Sequence, residues 1–109
     1  MADVIKVLGQ AAPATTATTD LYTVPNLNQT TVSSLVVCNR TGGALTFRVS
    51  VHVAGAAASD EQYLYYDKTV AANDSFTAVL GLTLNQSDEV KVNASANGLS
   101  FNMFGVETS

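Results

Sequence analysis

The sequence predicts an all-β protein, a single antiparallel β-sandwich of about eight strands with a jelly-roll or immunoglobulin-like topology. Three observations predict it. Apolar and polar residues alternate within short segments, turn-forming clusters separate these segments at spacings of roughly ten residues, and no segment has the apolar period of a helix. The topology stays open because alternation does not record strand order, and the Cys, Trp, Cys pattern of antibody domains is missing.

Length and composition indicate one domain with little surface charge. The chain has 109 residues, of which 47% are hydrophobic and 13% charged, and its formal net charge is −4. The charged share is about half that of an ordinary globular protein, and uncharged Thr, Ser, Asn and Ala take its place. This composition favours a protein whose faces are covered by copies of itself or by a larger assembly. A weakly charged soluble β-domain is the alternative.

The N-terminal part of the chain predicts a strand followed by a connector. Residues 4–8 form the first strand, and residues 10–19, which are rich in alanine and threonine and include Pro13, lack core-forming side chains. We therefore divide the chain into two parts. Residues 1–19 are an N-terminal strand and flexible connector, able to extend as an arm towards a neighbouring subunit, and residues 20–109 are the β-sandwich domain.

The clearest strand signal lies in the middle of the chain. Between residues 45 and 53 every second residue is apolar, with Phe47 on one side and Arg48 on the other, as in a half-buried strand. A β-branched run over residues 32–39 precedes it, across the turn sequence Arg-Thr-Gly-Gly at residues 40–43. The pattern predicts a central β-hairpin.

Turn signals bound the remaining strands. We expect a short strand over residues 21–24 that stops at Pro25, a loop of small residues over 54–61 and an aromatic strand over 63–66. A strand over 75–84 is bent or bulged at Gly81, and two further strands follow over 90–93 and 99–106. Asn97-Gly98 is the strongest two-residue hairpin signal. In the last strand Leu99, Phe101 and Met103 share the face that we expect to be buried.

Side chains suited to an interface occur in two of these strands. Tyr63, Tyr65 and Tyr66 form the one aromatic cluster, for which core packing, a subunit interface and contact with a sugar ring are the alternatives. Phe104 and Val106 lie on the nominally outer face of the last strand, which indicates that this face is covered too. We predict these residues as interface residues.

The residues do not group into a pattern that predicts catalysis, a cofactor or a metal ion. His52 is the sole histidine, and although Ser50 shares its strand face, no Gly-x-Ser-x-Gly turn accompanies them. We expect a structural histidine. One histidine and one cysteine cannot build a zinc site within a chain, and the acidic turns lack the spacing of a calcium loop. The single cysteine, Cys38, is expected to be a buried or interface thiol.

Charge and hydropathy disfavour nucleic acids and membranes as partners. The five Lys and Arg residues are scattered singly, whereas nucleic-acid binding needs clustered cations that displace counterions from phosphates. No window approaches the apolar length that spans a bilayer, and the N-terminal residues lack the pattern of a signal peptide. We expect a protein that is made and kept soluble.

Several strand phrases resemble those of small structural proteins of tailed bacteriophages. They are LYTVP, SLVVCNR, TFRV, YLYYD, ANDSF and LSFNMFG, at residues 21–25, 34–40, 46–49, 63–67, 72–76 and 99–105. The resemblance spans most of the chain and is a pattern of strands without a catalytic signature. It implies a small β-sandwich of the virion, assembled in the host cytoplasm, that serves as a capsid decoration (cement) protein or as a tail or fibre component, often as a homotrimer.

From the resemblance and the composition we expect a capsid decoration protein that binds the outer shell, acts through contact area and is not an enzyme. Its partners would be the major capsid protein or neighbouring virion proteins, and further copies of itself. A tail, baseplate or fibre module, with host-surface carbohydrate contact, is the second expectation. A sugar-binding module that uses the tyrosines is the third.

Overall fold

The structure is a computed structural model that describes residues 3–14 and 16–109. In this part of the chain eight strands form two four-stranded antiparallel sheets. The strands are β1 (Asp3–Ala11), β2 (Thr19–Thr23), β3 (Gln29–Asn39), β4 (Leu45–His52), β5 (Tyr63–Val70), β6 (Ser75–Leu84), β7 (Glu89–Ala94) and β8 (Leu99–Thr108). Two single-turn 3₁₀ segments, Val53–Gly55 and Asp60–Gln62, lie between β4 and β5. The predicted all-β sandwich is confirmed.

The strand order is that of a jelly roll. Sheet A has the order β1-β8-β3-β6, and sheet B has the order β2-β7-β4-β5. The pairs are nested, since β1 pairs with β8, β2 with β7, β3 with β6 and β4 with β5. Pairing of β3 with β8 and of β4 with β7 then joins these ribbons into two sheets. Of the two topologies that the sequence left open, this is the jelly roll.

The two predicted hairpins are wrong. Strands β3 and β4 lie in different sheets, and so do β7 and β8. The turn residues at 40–43 and at Asn97-Gly98 therefore mark crossovers between sheets. The crossovers stack at one end of the sandwich, where the Arg40 N–H donates to the Gly98 carbonyl (2.8 Å) and the Asn73 N–H donates to the Thr41 carbonyl (2.9 Å). Turn chemistry identifies where a strand ends, but not which strand it pairs with.

Asn39 holds this end of the sandwich together. Its side chain is 1% exposed, and its Nδ2 donates to the carbonyls of Gly43 (2.8 Å), Val70 (3.1 Å) and Ala71 (3.2 Å). Its Oδ1 accepts from the backbone N–H and the hydroxyl of Thr41, at 3.0 and 2.8 Å. One buried amide thus satisfies polar groups of the β3–β4 and β5–β6 crossovers.

Two strands are longer than expected, since β1 continues through Ala11 and β5 through Val70. The bulge expected at Gly81 is confirmed, because β6 continues to Leu84 with a register shift against β3 between Val79 and Leu82. Residues 3–11, expected to begin the arm, form an edge strand of sheet A paired with β8. The N-terminal Met1 and Ala2 and the connector residue Thr15 lie outside the described residues. The domain boundary after Thr19 stays a prediction.

The core lies between the sheets. The largest fully buried side chains come from β3, β4 and β8, and they include Phe47, Leu35 and the predicted buried face of β8, namely Leu99, Phe101 and Met103. Phe47 is central, with ring-centroid distances of 5.8 Å to Phe76 and 6.0 Å to Phe101. Because the core is filled, the surfaces left for function are the two outer faces and the sheet edges.

Candidate interaction surfaces

The predicted interface residues lie in three separate places. Phe104 and Val106 are on the outer face of sheet A and are half-buried. Tyr63 and Tyr66 lie together at the edge of sheet B, with ring centroids 5.0 Å apart at 86°. Tyr65 instead packs on the core, against Phe47 (5.8 Å) and Phe76 (5.4 Å). The structure therefore does not bring these five residues into one patch.

The outer face of sheet A carries three consecutive cross-strand rows without a charge. The rows are Ile5–Val106–Thr31–Thr83, Val7–Phe104–Ser34–Val79 and Gln10–Asn102–Val36–Thr77. We call these residues the uncharged face. Asp3 lies in the next row, opposite Thr108, at one end of the sheet. Cys38 is opposite Ser75 and Ser100 at the other end, and it is a half-buried free thiol.

The uncharged face offers about half the area that a standard protein interface buries on one partner. Val79 is 89% exposed and Ile5 86% exposed at its two edges, while Phe104 and Val106 are partly covered by their neighbours. Four strands about 4.8 Å apart and three rows roughly 7 Å apart give the uncharged face an area of roughly 400 Å². A stable interface buries ~800 Å² per partner. Half of the twelve side chains are apolar, and exposed apolar clusters often mark contact sites.

The outer face of sheet B is charged and internally paired. The Lys91 ammonium lies 2.6 Å from Asp20 and 3.1 Å from Glu89, and these hydrogen bonds raise the pKa of Lys91. Arg48 donates to both oxygens of Asp67, at 2.7 and 3.3 Å. The pair raises the pKa of Arg48 and lowers the pKa of Asp67. Ion pairs on a protein surface remain hydrated, so the outer face of sheet B is suited to exposure to water.

Arg48 lines a small pocket on this face and contacts the Tyr66 ring. The Arg48 guanidinium lies 3.9 Å from the centroid of the Tyr66 ring, and Tyr66 is 59% exposed. The adjacent pocket has a volume of about 260 Å³, and its lining includes Arg48, Asp67, Asn93 and Ser95. An exposed aromatic ring beside paired polar groups is an arrangement that can stack on a sugar.

Ser50 and His52 are hydrogen-bonded, which the sequence did not lead us to expect. The Ser50 Oγ and His52 Nε2 are 2.8 Å apart, and His52 Nδ1 lies 2.9 Å from the Ala56 carbonyl. Because a carbonyl only accepts, Nδ1 carries the proton and Nε2 accepts from the serine hydroxyl. Both side chains are buried on the outer side of β4, where they tie the segment after β4 to sheet B. The contacts agree with a structural histidine.

A buried polar network joins strands β1, β2, β3 and β8. Tyr22 donates to Glu107 (2.5 Å), its hydroxyl lies 2.8 Å from that of Thr30, and the Lys6 ammonium lies 3.2 Å from Glu107. Burial raises the pKa of Tyr22, and the bond to Glu107 raises it further. The bonds from Tyr22 and Lys6 lower the pKa of Glu107 despite its burial. Sequence analysis missed this network because Tyr22 and Glu107 are 85 residues apart.

The described residues form neither a metal-binding cluster nor a membrane-spanning helix. Residues 3–14 and 16–109 contain no group of three or more His, Cys, Asp and Glu placed to hold a metal ion. Over those ranges, too, the fold has no helix with the length and apolarity needed to cross a membrane.

In comparisons with known proteins, no protein-family model and no curated protein matches this chain. The surfaces described above are therefore the basis for a functional proposal.

Proposed function

We propose that this chain is a structural protein of a tailed-bacteriophage virion, and specifically a capsid decoration protein that binds the outer surface of the shell and ties neighbouring capsomers together. The observation that supports this most is the contrast between its outer faces. One is uncharged over three rows of side chains, half of which are apolar, whereas the other carries paired charges.

The contrast suits a molecule that lies flat on a surface. Burying the uncharged face removes apolar area from water and leaves few charges to desolvate. The charged face then points outwards, where its ion pairs remain hydrated. Each bound copy adds interface free energy that must be overcome before the shell separates. This role needs no catalysis, cofactor or nucleic acid, and its partners are the major capsid protein and further copies of the chain, with a trimer as the expected arrangement.

Binding to particles that lack the protein tests the proposal. Thr31 is exposed on β3, an inner strand of sheet A, in the row of the uncharged face that contains Val106. Thr69 is an exposed strand threonine paired with Thr46 on sheet B. We expect wild-type protein and Thr69→Lys to bind the shell with capsid symmetry in cryo-electron microscopy. Thr31→Lys places a charge in the interface and should bind weakly. Failure of the wild type to bind, or equal binding by both variants, would contradict the proposal.

A tail, baseplate or fibre module is the second candidate, and the pocket beside Tyr66 favours it. A protein with a sugar-stacking site is useful where a virion meets its host surface. Particle images that show a few copies on the tail, together with glycan-array binding that is lost in Tyr66→Ala, would select this function over decoration of the shell.

A further inference from the structure

The four sheet edges differ in how well they are protected against pairing with another strand. Strand β1 carries Asp3 and Lys6, β5 carries Asp67 and Lys68, and β2 is only five residues long and carries Asp20. Each of these edges also has a register shift against its neighbour. Charges, shortness and bulges are the features that prevent edge strands from adding a further strand.

Strand β6 has none of the charges found on the other edges. Its sequence is Ser-Phe-Thr-Ala-Val-Leu-Gly-Leu-Thr-Leu, ten residues without a charge or a proline. Like the other edge strands, β6 has a register shift against its neighbour, between Val79 and Leu82, but its alternation of exposed and covered side chains is unbroken. Val79, in the middle of the strand, is 89% exposed.

The backbone of β6 is paired on one side only. Its ladder partner is β3, and β6 is the last strand in the order of sheet A. From Phe76 to Leu84 the structure shows no other hydrogen bond to the backbone within the described ranges. About half of its N–H and C=O groups therefore point away from the sheet, as in any edge strand.

We propose that β6 is a dimerisation edge, at which β6 of one copy pairs antiparallel with β6 of a second copy about a two-fold axis. With the axis at Val79, the outer face pairs Val79 with its own copy and Thr77 with Gly81. On the inner face Phe76 lies opposite Leu82, and Ala78 lies opposite Leu80. The two sheets A become one eight-stranded sheet, and the two uncharged faces become continuous.

A second copy fits this edge better than repeated addition of chains. Pairing of β6 with β1 of the next copy would place the uncharged strand against Asp3 and Lys6 and would leave a free edge at each end. Self-pairing of β6 consumes the unprotected edge of both copies, so the assembly closes. No charge on β6 opposes its own copy, and like charges directly opposite would weaken such a pair. The inference does not depend on where the protein lies in a virion. Its two-fold pair is an alternative to the trimer proposed above, and sedimentation distinguishes the two assemblies by mass.

Two matched lysine variants test the proposal with the purified protein alone. Val79→Lys places two ammonium groups next to each other at the two-fold axis. Ile5→Lys is the control, because Ile5 is 86% exposed at the other edge of the same sheet. By sedimentation velocity across a dilution series we expect the wild type and Ile5→Lys to associate alike. For Val79→Lys we expect the dissociation constant of the dimer to rise roughly fivefold or more. The sedimenting mass should therefore fall from that of the dimer to that of the monomer.

Hydrogen exchange of the wild type provides a second measurement that needs no variant. On dilution, amides of β6 should lose protection while those of β1 keep theirs. A wild-type protein that stays monomeric overturns the proposal. So does an assembly that Val79→Lys leaves intact, or one that Ile5→Lys disrupts equally, because the contact would then lie elsewhere.

Discussion

Replacing Asn39 by alanine should destabilise the fold more than its position at the end of a strand suggests. The side chain is 1% exposed and bonds three carbonyls and two donors of the neighbouring crossovers. Alanine removes all five bonds, of which the one to the Val70 carbonyl is fully buried and the others are partly buried. We expect a loss of about 2–4 kcal/mol in the free energy of unfolding. For a domain of this size the melting temperature should fall by roughly 10–20 °C.

Urea and thermal unfolding followed by circular dichroism measure this effect, with an unchanged urea slope as the sign that the unfolded state is the same. Asn97→Ala is the matched control, since Asn97 is an exposed asparagine at the same end of the sandwich. Asn39→Asp tests the mechanism, because a carboxylate has the same shape but cannot donate to the three carbonyls. If Asn39→Ala were no more destabilising than Asn97→Ala, or if Asn39→Asp were neutral, the reasoning would be refuted.

Two further predictions concern strand glycines and pH. A Cβ at Gly105 would lie 2.2 Å from the Thr31 carbonyl oxygen, whereas one at Gly81 meets no atom within 4 Å. Gly105→Ala should therefore lower the unfolding free energy by about 2–4 kcal/mol, which is more than Gly81→Ala does. Equal effects of the two variants in urea titrations would contradict this. The pKa of Glu107 is lowered in the fold from its ordinary value of 4.5, so its contribution is present above that value and is lost as the pH falls through the folded pKa. The stability difference between wild type and Glu107→Gln should thus be larger at neutral pH than in acid, and a difference independent of pH would exclude this role for the carboxylate.

The sequence predicted strands well because alternation is a local property. The buried face of β8 and the buried side of β4 at Phe47 and Val49 follow directly from a period of two. The pairing of strands was not predicted, since a turn such as Asn97-Gly98 has the same composition whether it joins two strands of one sheet or crosses between sheets. In a jelly roll most pairs join distant segments, so local turn chemistry has little bearing on them.

The contacts of the candidate surfaces depend on the same long-range pairing. Phe104 and Val106 were predicted to lie on an outer face, and they do, but the rows that complete the uncharged face come from β1, β3 and β6. Tyr65 was grouped with Tyr63 and Tyr66 because the three are close in sequence. A register shift between Val49 and Ser50 separates Tyr65 from Tyr63 along β5, and Tyr65 packs on the core instead. Irregularities of this kind have no signature in alternation.

Nested pairing also places a physical condition on the proposed N-terminal arm. In this structure β1 covers one edge of β8, and Lys6 lies beside the buried carboxylate of Glu107. Withdrawal of β1 would expose the β8 backbone and leave Glu107 without its cation, which is unfavourable for a buried charge. An arm that reaches a neighbour is therefore compatible with a stable sandwich only if an equivalent strand takes the place of β1. Strand exchange between copies meets this condition, since each chain then gives and receives the same segment.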